Sequence, residues 1–244
     1  WLNEKVAFVP KTMKLLAENY YASSYQGEMG SAEFNKALQS WLNEQTGGLL
    51  KEQAGEIELE ADTVLALATT IYYRAKWDAE FSESRTEEGV FHSLQGDVTV
   101  EFMHSRSTTN YYWGENFSAV GKSLENSGSM WFLLPDEGVS PEELLRDGQA
   151  MDFLLSPGEW ENSKYLFVNL ALPKFDITSQ ADLREGLAAL GVTDVMDPES
   201  SDFTPMTTEA EGIFLSRAQH DVRVAIDGMS ASGKSTAGAL LQAV

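Results

Sequence analysis

Ten residues, Val64 to Tyr73, form a nearly continuous apolar run with β-branched and aromatic members and neither Gly nor Pro. The run falls well short of the eighteen or so residues of a membrane span. It reads as a strand buried on both faces of a sheet. A chain with such a strand must supply material for both of its sides. The 244 residues allow one large domain or two small ones, with a sizeable core in either case.

Helical periodicity precedes the run. Met13, Leu16, Ala17 and Tyr20 recur at helical spacing after Pro10, a favourable first helical residue. Phe34, Leu38, Trp41 and Leu42 repeat the pattern, and Thr46-Gly47-Gly48 stops it. Strand patterns follow it. Val98–Met103, Ser129–Leu134 and Tyr165–Leu172 read as strands, and Pro135-Asp136-Glu137-Gly138 ends the second with turn chemistry. Ser140-Pro141-Glu142-Glu143 is a capping box that opens a short helix through Leu145. Ser179 is expected to cap a helix carrying Leu183, Leu187 and Leu190, which Gly191 ends. Ile213–Leu215 and Val222–Ile226 read as the last two strands. Helices come first, then strands with helices between them. That order predicts an α+β fold and lacks the strict β-α alternation of a parallel sheet.

Charge narrows the partners. Acidic residues number 38 against 17 basic, a net charge of −21, which argues against a nucleic-acid binder and favours basic partners and a soluble monomer. Hydrophobic residues at 43% and aromatics at 11% exclude a disordered polyanion. Without cysteine the chain has no disulfide and no thiolate metal site, and its compartment stays open. The three histidines, His92, His104 and His220, fall in no metal-binding spacing. G-x-S-x-G is absent, and the alternating Glu56, Glu58 and Glu60 read as a solvated face. No metal or cofactor is called for.

The sharpest local motif lies near the end. Gly228-Met-Ser-Ala-Ser-Gly233-Lys234-Ser235-Thr236 fits the phosphate-binding loop G-x-x-x-x-G-K-[ST]. A strand precedes it and a helical stretch, Ala237–Val244, is expected after it. Backbone N–H groups would cradle phosphates, Lys234 would pair with the outer ones, and Ser235 would hold Mg²⁺. Residues 224–236 resemble the opening of bacterial cytidylate kinases. Against this stands the lack of any βαβ succession to supply the rest of a kinase.

A wider resemblance covers about residues 1–227. Thr69-Thr70-Ile71-Tyr72-Tyr73-Arg74-Ala75-Lys76-Trp77-Asp78-Ala79-Glu80-Phe81 resembles the serpins, the serine protease inhibitor family. So, in order, do Phe91-His92, Val100–Met103, Leu133–Asp136, Leu172-Pro173-Lys174-Phe175, the stretch from Asp182-Leu183 to Leu190-Gly191-Val192-Thr193-Asp194, Asp202-Phe203-Thr204, and His220 with Val224–Asp227. The resemblance implies a metastable α+β fold with a large, mostly antiparallel central sheet and an exposed reactive loop. A target serine protease cleaves the loop and is held as an acyl-enzyme while the loop inserts as a new strand. Such a protein is a suicide inhibitor, not an enzyme, and has no catalytic residues.

The resemblance places Trp77 near the top of the central sheet, where insertion begins, and His220 under its opening region. The family pairs that histidine with an asparagine; Thr69 stands there and lacks the amide. Lys174 matches a lysine that pairs with an acidic residue at the base of the reactive loop. Just after Asp227 that acidic position is Gly228, so the pair cannot form as in the family. In the loop itself Ala231, Gly233, Ser235 and Ala237 alternate toward the sheet and are all small, so insertion is sterically open.

The expected organisation is therefore a serpin-like core at 1–227, with the reactive-loop position, 228–244, filled by the phosphate-loop-like segment. The family's N-terminal helices and C-terminal strands are not seen, and a truncated or fused reading frame is expected, with its inhibitory activity in doubt. The resemblance favours an extracellular setting and leaves the target protease open. Two other readings stand beside it: a nucleotide-binding fragment using Gly228, Gly233, Lys234, Ser235 and Thr236, and a non-inhibitory serpin relative.

Overall fold

A computed structural model describes residues 1–93, 95–125, 128–209, 211–226, 228 and 233–243. In chain order the elements are β1 (Leu2–Asn3), α1 (Pro10–Tyr20), β2 (Gln26–Gly27), α2 (Ala32–Gln45), α3 (Lys51–Gly55), β3 (Leu65–Ala75), β4 (Thr86–Ser93), β5 (Gly96–Trp113), β6 (Phe117–Ser123), β7 (Ser129–Pro135), α4 (Pro141–Arg146), α5 (Gly148–Leu155), β8 (Ser163–Pro173), β9 (Phe175–Asp182), α6 (Arg184–Ala189), β10 (Leu215–Ile226) and β11 (Gly233–Ala243). They form two compact units, one from 1–73, 177–224 and the chain from 235, the other from 74–176 and 225–234.

The first unit carries most of a six-stranded sheet ordered β2-β1-β3-β11-β10-β9. β1 runs parallel to β2 and antiparallel to β3. α1 starts at Pro10, whose missing N–H costs nothing in a first turn. The Ser31 side chain caps α2 by accepting the Phe34 N–H at 3.2 Å. At its other end the Thr46 hydroxyl returns to the Leu42 carbonyl at 2.8 Å, and Gly47 and Gly48 turn the chain at φ +59° and +80°. Leu38 and Leu42 of α2 pack with Met29, Ala54, Ile57, Leu59 and Ala66 into one core.

The second unit holds a five-stranded antiparallel sheet, β4-β5-β6-β7, with β8 on β5. The long β5 pairs with β8 from Phe102↔Pro173 to Tyr112↔Ser163. Its core is aromatic: Tyr112, Phe117 and Phe153 pack with Trp131 and Trp160, with the Phe117 and Phe153 rings 5.5 Å apart. The capping box on α4 is formed, Ser140 Oγ accepting from Glu143 N at 3.2 Å and Glu143 Oε2 from Ser140 N at 2.9 Å.

Four expectations need correction. β3 is a strand, but it is not buried on both faces: Leu67 is 48% and Ile71 68% exposed. Its small residues Ala66 and Ala68 pack on the α2 core, while Leu67 and Ile71 stay exposed. Ser179 lies in β9 and caps nothing; α6 begins only after Leu183, whose N–H is held by the Ala218 carbonyl at 2.7 Å. There the Asp182 carboxylate, not Ser179, accepts the Arg184 N–H at 3.0 Å. Gly191 does end that helix, at φ +87°, with Val192 N on Leu187 O and Gly191 N on Ala188 O, both at 2.9 Å. Ile213-Phe214 is not a strand; Ile213 is a buried core residue ahead of β10. Finally, the helix expected at 237–244 is strand β11, because a place between two strands outweighs local helix propensity.

Candidate functional site

β11 lies between β3 and β10 in the six-stranded sheet. Gly233, Lys234, Ser235, Thr236 and Ala237 all belong to it. Asp227 and Ala231 lie outside the described residues. A phosphate-binding loop needs the free N–H groups of a helix N-terminus directly after it. A strand runs from Gly233 to Ala243 instead, and its backbone groups serve a sheet ladder. Thr69 sits on β3 and is exposed, while His220 sits on β10 and is half-buried. They occupy the two strands that flank β11, and no hydrogen bond links them among the described residues.

Trp77 and Gly228 come together in the second unit. Trp77 is 2% exposed and meets Phe81 edge-on at 5.6 Å. The Lys122 ammonium lies over both rings, 5.7 Å from the Trp77 centroid and 4.5 Å from that of Phe81. Burial holds the Lys122 pKa below its ordinary value, with the nearby Asp78 carboxylate opposing. Gly228 is buried against the same group: a Cβ there would lie 2.8 Å from Met103 Sδ and 3.1 Å from Phe81 Cβ. A side chain at this position would require Met103 and Phe81 to give way.

Lys174 accordingly has another partner. Its ammonium donates to Glu101 Oε2 at 2.9 Å, and its backbone N–H to the Glu101 carbonyl at 2.8 Å. The β5–β8 register pairs Phe102 with Pro173 and so brings Glu101 beside Lys174. Sequence reasoning missed Glu101, Met103, Phe81 and Lys122 as members of this site. Three of them stand within stretches that carry the resemblance, but only strand register shows which residues meet.

Other polar groups are engaged elsewhere. His92 Nδ1 lies 2.7 Å from Asp97 Oδ1 and His104 Nε2 3.4 Å from Glu87 Oε1, both across the β4–β5 hairpin. Among the described residues no group of three or more His, Asp or Glu is placed to hold a metal ion. On β10, Asp221 is buried, and its carboxylate accepts from Gln219 at 2.7 Å and from Gln180 of β9 at 2.9 Å. An open depression of about 510 Å³ is lined by Asp182, Arg184, Met196 and Phe214. Its guanidinium is committed to Asp182, Arg184 Nη2 to Oδ2 at 2.6 Å, which holds that carboxyl down at about 2.

The sequence model of one family, Serpin (serine protease inhibitor), matches residues 1–242. The chain belongs to the serpin family. Curated serpins similar to it include Serpin-ZX of Arabidopsis thaliana, 30% identical over 79% of this chain and 51% of the relative. Human Serpin B13 is 26% identical over 90% and 57%, and the pig leukocyte elastase inhibitor 29% over 90% and 62%. The chain thus spans roughly half to three fifths of these relatives' length. Among solved structures, emu ovalbumin superposes with a TM-score of 0.87 at 20% identity, covering 99% of this chain and 63% of that one. Tengpin in its latent state gives 0.84 at 22% identity, over 99% and 64%. A loop-inserted, cleaved ovalbumin mutant gives 0.82 at 19%, over 99% and 64%. The fold is the α+β serpin fold.

Proposed function

We propose that this serpin acts as a suicide inhibitor of a serine-type endopeptidase, and that β11 is its reactive loop in the inserted state. One observation carries the reading: β11 lies between β3 and β10, where a new strand would enter the sheet. The segment after Gly228 would first be exposed as a pseudo-substrate. The protease's serine attacks the scissile carbonyl, the amine leaves, and an ester joins the two proteins. Insertion then gives the loop's backbone hydrogen-bonding partners on both edges in place of water, and the ester is carried away from its aligned geometry before water can hydrolyse it. The serpin contributes no catalytic group. Its part is the free-energy drop of strand insertion.

Gly228 fits this role as the compact base of the loop, seated on Met103 and Phe81. Lys174 is held by Glu101 instead of by a residue at that base. The working unit is one polypeptide, and its charge of −21 favours a basic protease surface over nucleic acid.

The test is a gel-based adduct assay with trypsin-, chymotrypsin- and elastase-like serine proteases. The expected result is an SDS-stable band at the mass of the protease plus the serpin up to its cleaved bond, lost when the protease serine is blocked beforehand. Cleavage of the serpin without any such band would refute inhibition and leave a non-inhibitory relative.

A further inference from the structure

β5 carries three hydroxyls on one face, those of Ser105, Ser107 and Thr109, at alternate positions. The β5–β8 register sets Ser105 opposite Leu170 and Ser107 opposite Val168. On its other side β5 pairs with β6 only from Tyr111↔Val120 to Trp113↔Ser118. Beyond Tyr111 that ladder stops, and the two strands part as a fork. Lys122 stands two positions beyond Val120, as Thr109 stands two positions before Tyr111, so both point to the face that bears the hydroxyls. A cavity of about 30 Å³ opens in the fork. It is lined by the three hydroxyl residues and Lys122, with Val168 and Leu170 as its apolar wall.

The polar groups around this cavity lack partners. Among the described residues no hydrogen bond engages the side chains of Ser105, Ser107 or Thr109, and no carboxylate lies within 4.0 Å of the Lys122 ammonium. That ammonium rests against the Trp77 and Phe81 rings, whose faces offset part of its charge. The carboxylate that acts on it, Asp78, is exposed to water and makes no ion pair with it. A half-buried cation still gains from an anion on its open side. An ammonium can only donate, and each hydroxyl can turn its hydrogen inward, so the space suits a negatively charged acceptor.

Size selects the occupant. About 30 Å³ holds one monatomic anion, or about two waters where each needs ~10–15 Å³. A tetrahedral oxyanion needs more room. We infer that the β5–β6 fork binds a single halide ion, chloride in ordinary solution, held by Lys122 and the hydroxyls of Ser105, Ser107 and Thr109. The ion also steadies a neighbouring contact. Met103 lies two residues before Ser105 on the same face of β5, and Met103 and Phe81 form the seat of Gly228. An ion that holds Lys122 over the Phe81 ring firms that seat. None of the binding groups belongs to β11, so the inference stands apart from the inhibitor reading.

The test uses the full chain at constant ionic strength, with gluconate replacing chloride. Chlorine NMR gives the first readout, because the chloride line broadens when the ion exchanges with a protein site. The expected result is excess broadening that added bromide removes. It should be absent in Lys122→Met, which keeps the stem over the rings and loses the charge, and weaker when Ser105→Ala and Ser107→Ala are combined. Urea unfolding gives the second readout. Once chloride exceeds its dissociation constant, each tenfold rise should raise the parent's folding constant about tenfold and leave that of K122M unchanged. Broadening that K122M retains overturns the site. So does a folding constant equal in chloride and gluconate, which leaves ordered water in the cavity. Sulfate that displaces chloride as well as bromide does overturns the halide reading. Should K122M not fold, undiminished broadening in the double serine variant overturns the site in its place.

Discussion

Substituting Gly228 by Ala gives a test whose sign is informative. Gly228 has no positive φ, so Ala fits its backbone conformation. Where space is open, such a change stabilises by about 0.4–1 kcal/mol, because the unfolded chain loses freedom. Here the added Cβ would lie 2.8 Å from Met103 Sδ and 3.1 Å from Phe81 Cβ. Sulfur sits toward the end of a flexible side chain and can yield, although Met103 is 0% exposed and has little room to move into. Phe81 Cβ is held next to the backbone, and its ring is fixed edge-on against Trp77. Overpacking of this kind costs about 1–3 kcal/mol, which exceeds the entropic gain. G228A is therefore expected to destabilise by about 1–2 kcal/mol. Urea unfolding followed by tryptophan fluorescence measures it, as a lower midpoint at unchanged slope. Met103→Ala removes the neighbour that must give. In that background G228A should become neutral or stabilising, a coupling of about 1–2 kcal/mol by double-mutant cycle. A G228A protein more stable than the parent, or an effect unchanged by M103A, would show that Met103 and Phe81 do not close the position.

Glu101→Gln removes the partner of Lys174; with the two side chains 56% and 31% exposed, the loss should stay within about 1 kcal/mol and shrink further in 1 M salt, by the same urea assay. The Asp182 carboxyl, held at about 2 by Arg184, has a folded pKa below its ordinary 3.8, so the pair's contribution is full above that value and fades as pH falls toward 2. Carbon-detected NMR titration should place its midpoint near 2, and Arg184→Met should return it toward 3.8. Ser140→Ala deletes one half of the α4 capping box and should cost about 1 kcal/mol, read as faster amide exchange in the first turn of α4.

Family and fold class were legible because the motifs from Thr69 to Asp227 are separate, ordered and carried by residue identity. Helix starts were legible too, since Pro10 and Ser140 act through their own backbone neighbours. Legibility failed where the partner is remote in sequence. Ser179 looks like a cap until β9 claims its backbone, and Leu-Leu-Gln-Ala near the end looks helical until β3 and β10 flank it. The site divides in the same way. That Gly228 cannot pair with Lys174 follows from the residue alone, and that Glu101 takes the lysine instead required the β5–β8 register.

The sequence by itself determined the local and compositional facts: the net charge, the absence of thiols, the capping residues, and a glycine where the family carries an acid. Each depends only on which side chains are present and on neighbours a few bonds away. The tertiary structure decided which surfaces meet. It placed Gly228 against Met103 and Phe81, extended 233–243 as a strand instead of a helix, and set Arg217 and Arg223 against carbonyls more than a hundred residues earlier in the chain. Those contacts come from sheet register and helix-on-sheet packing, which join distant segments by shape and hydrogen bonding that no local pattern records.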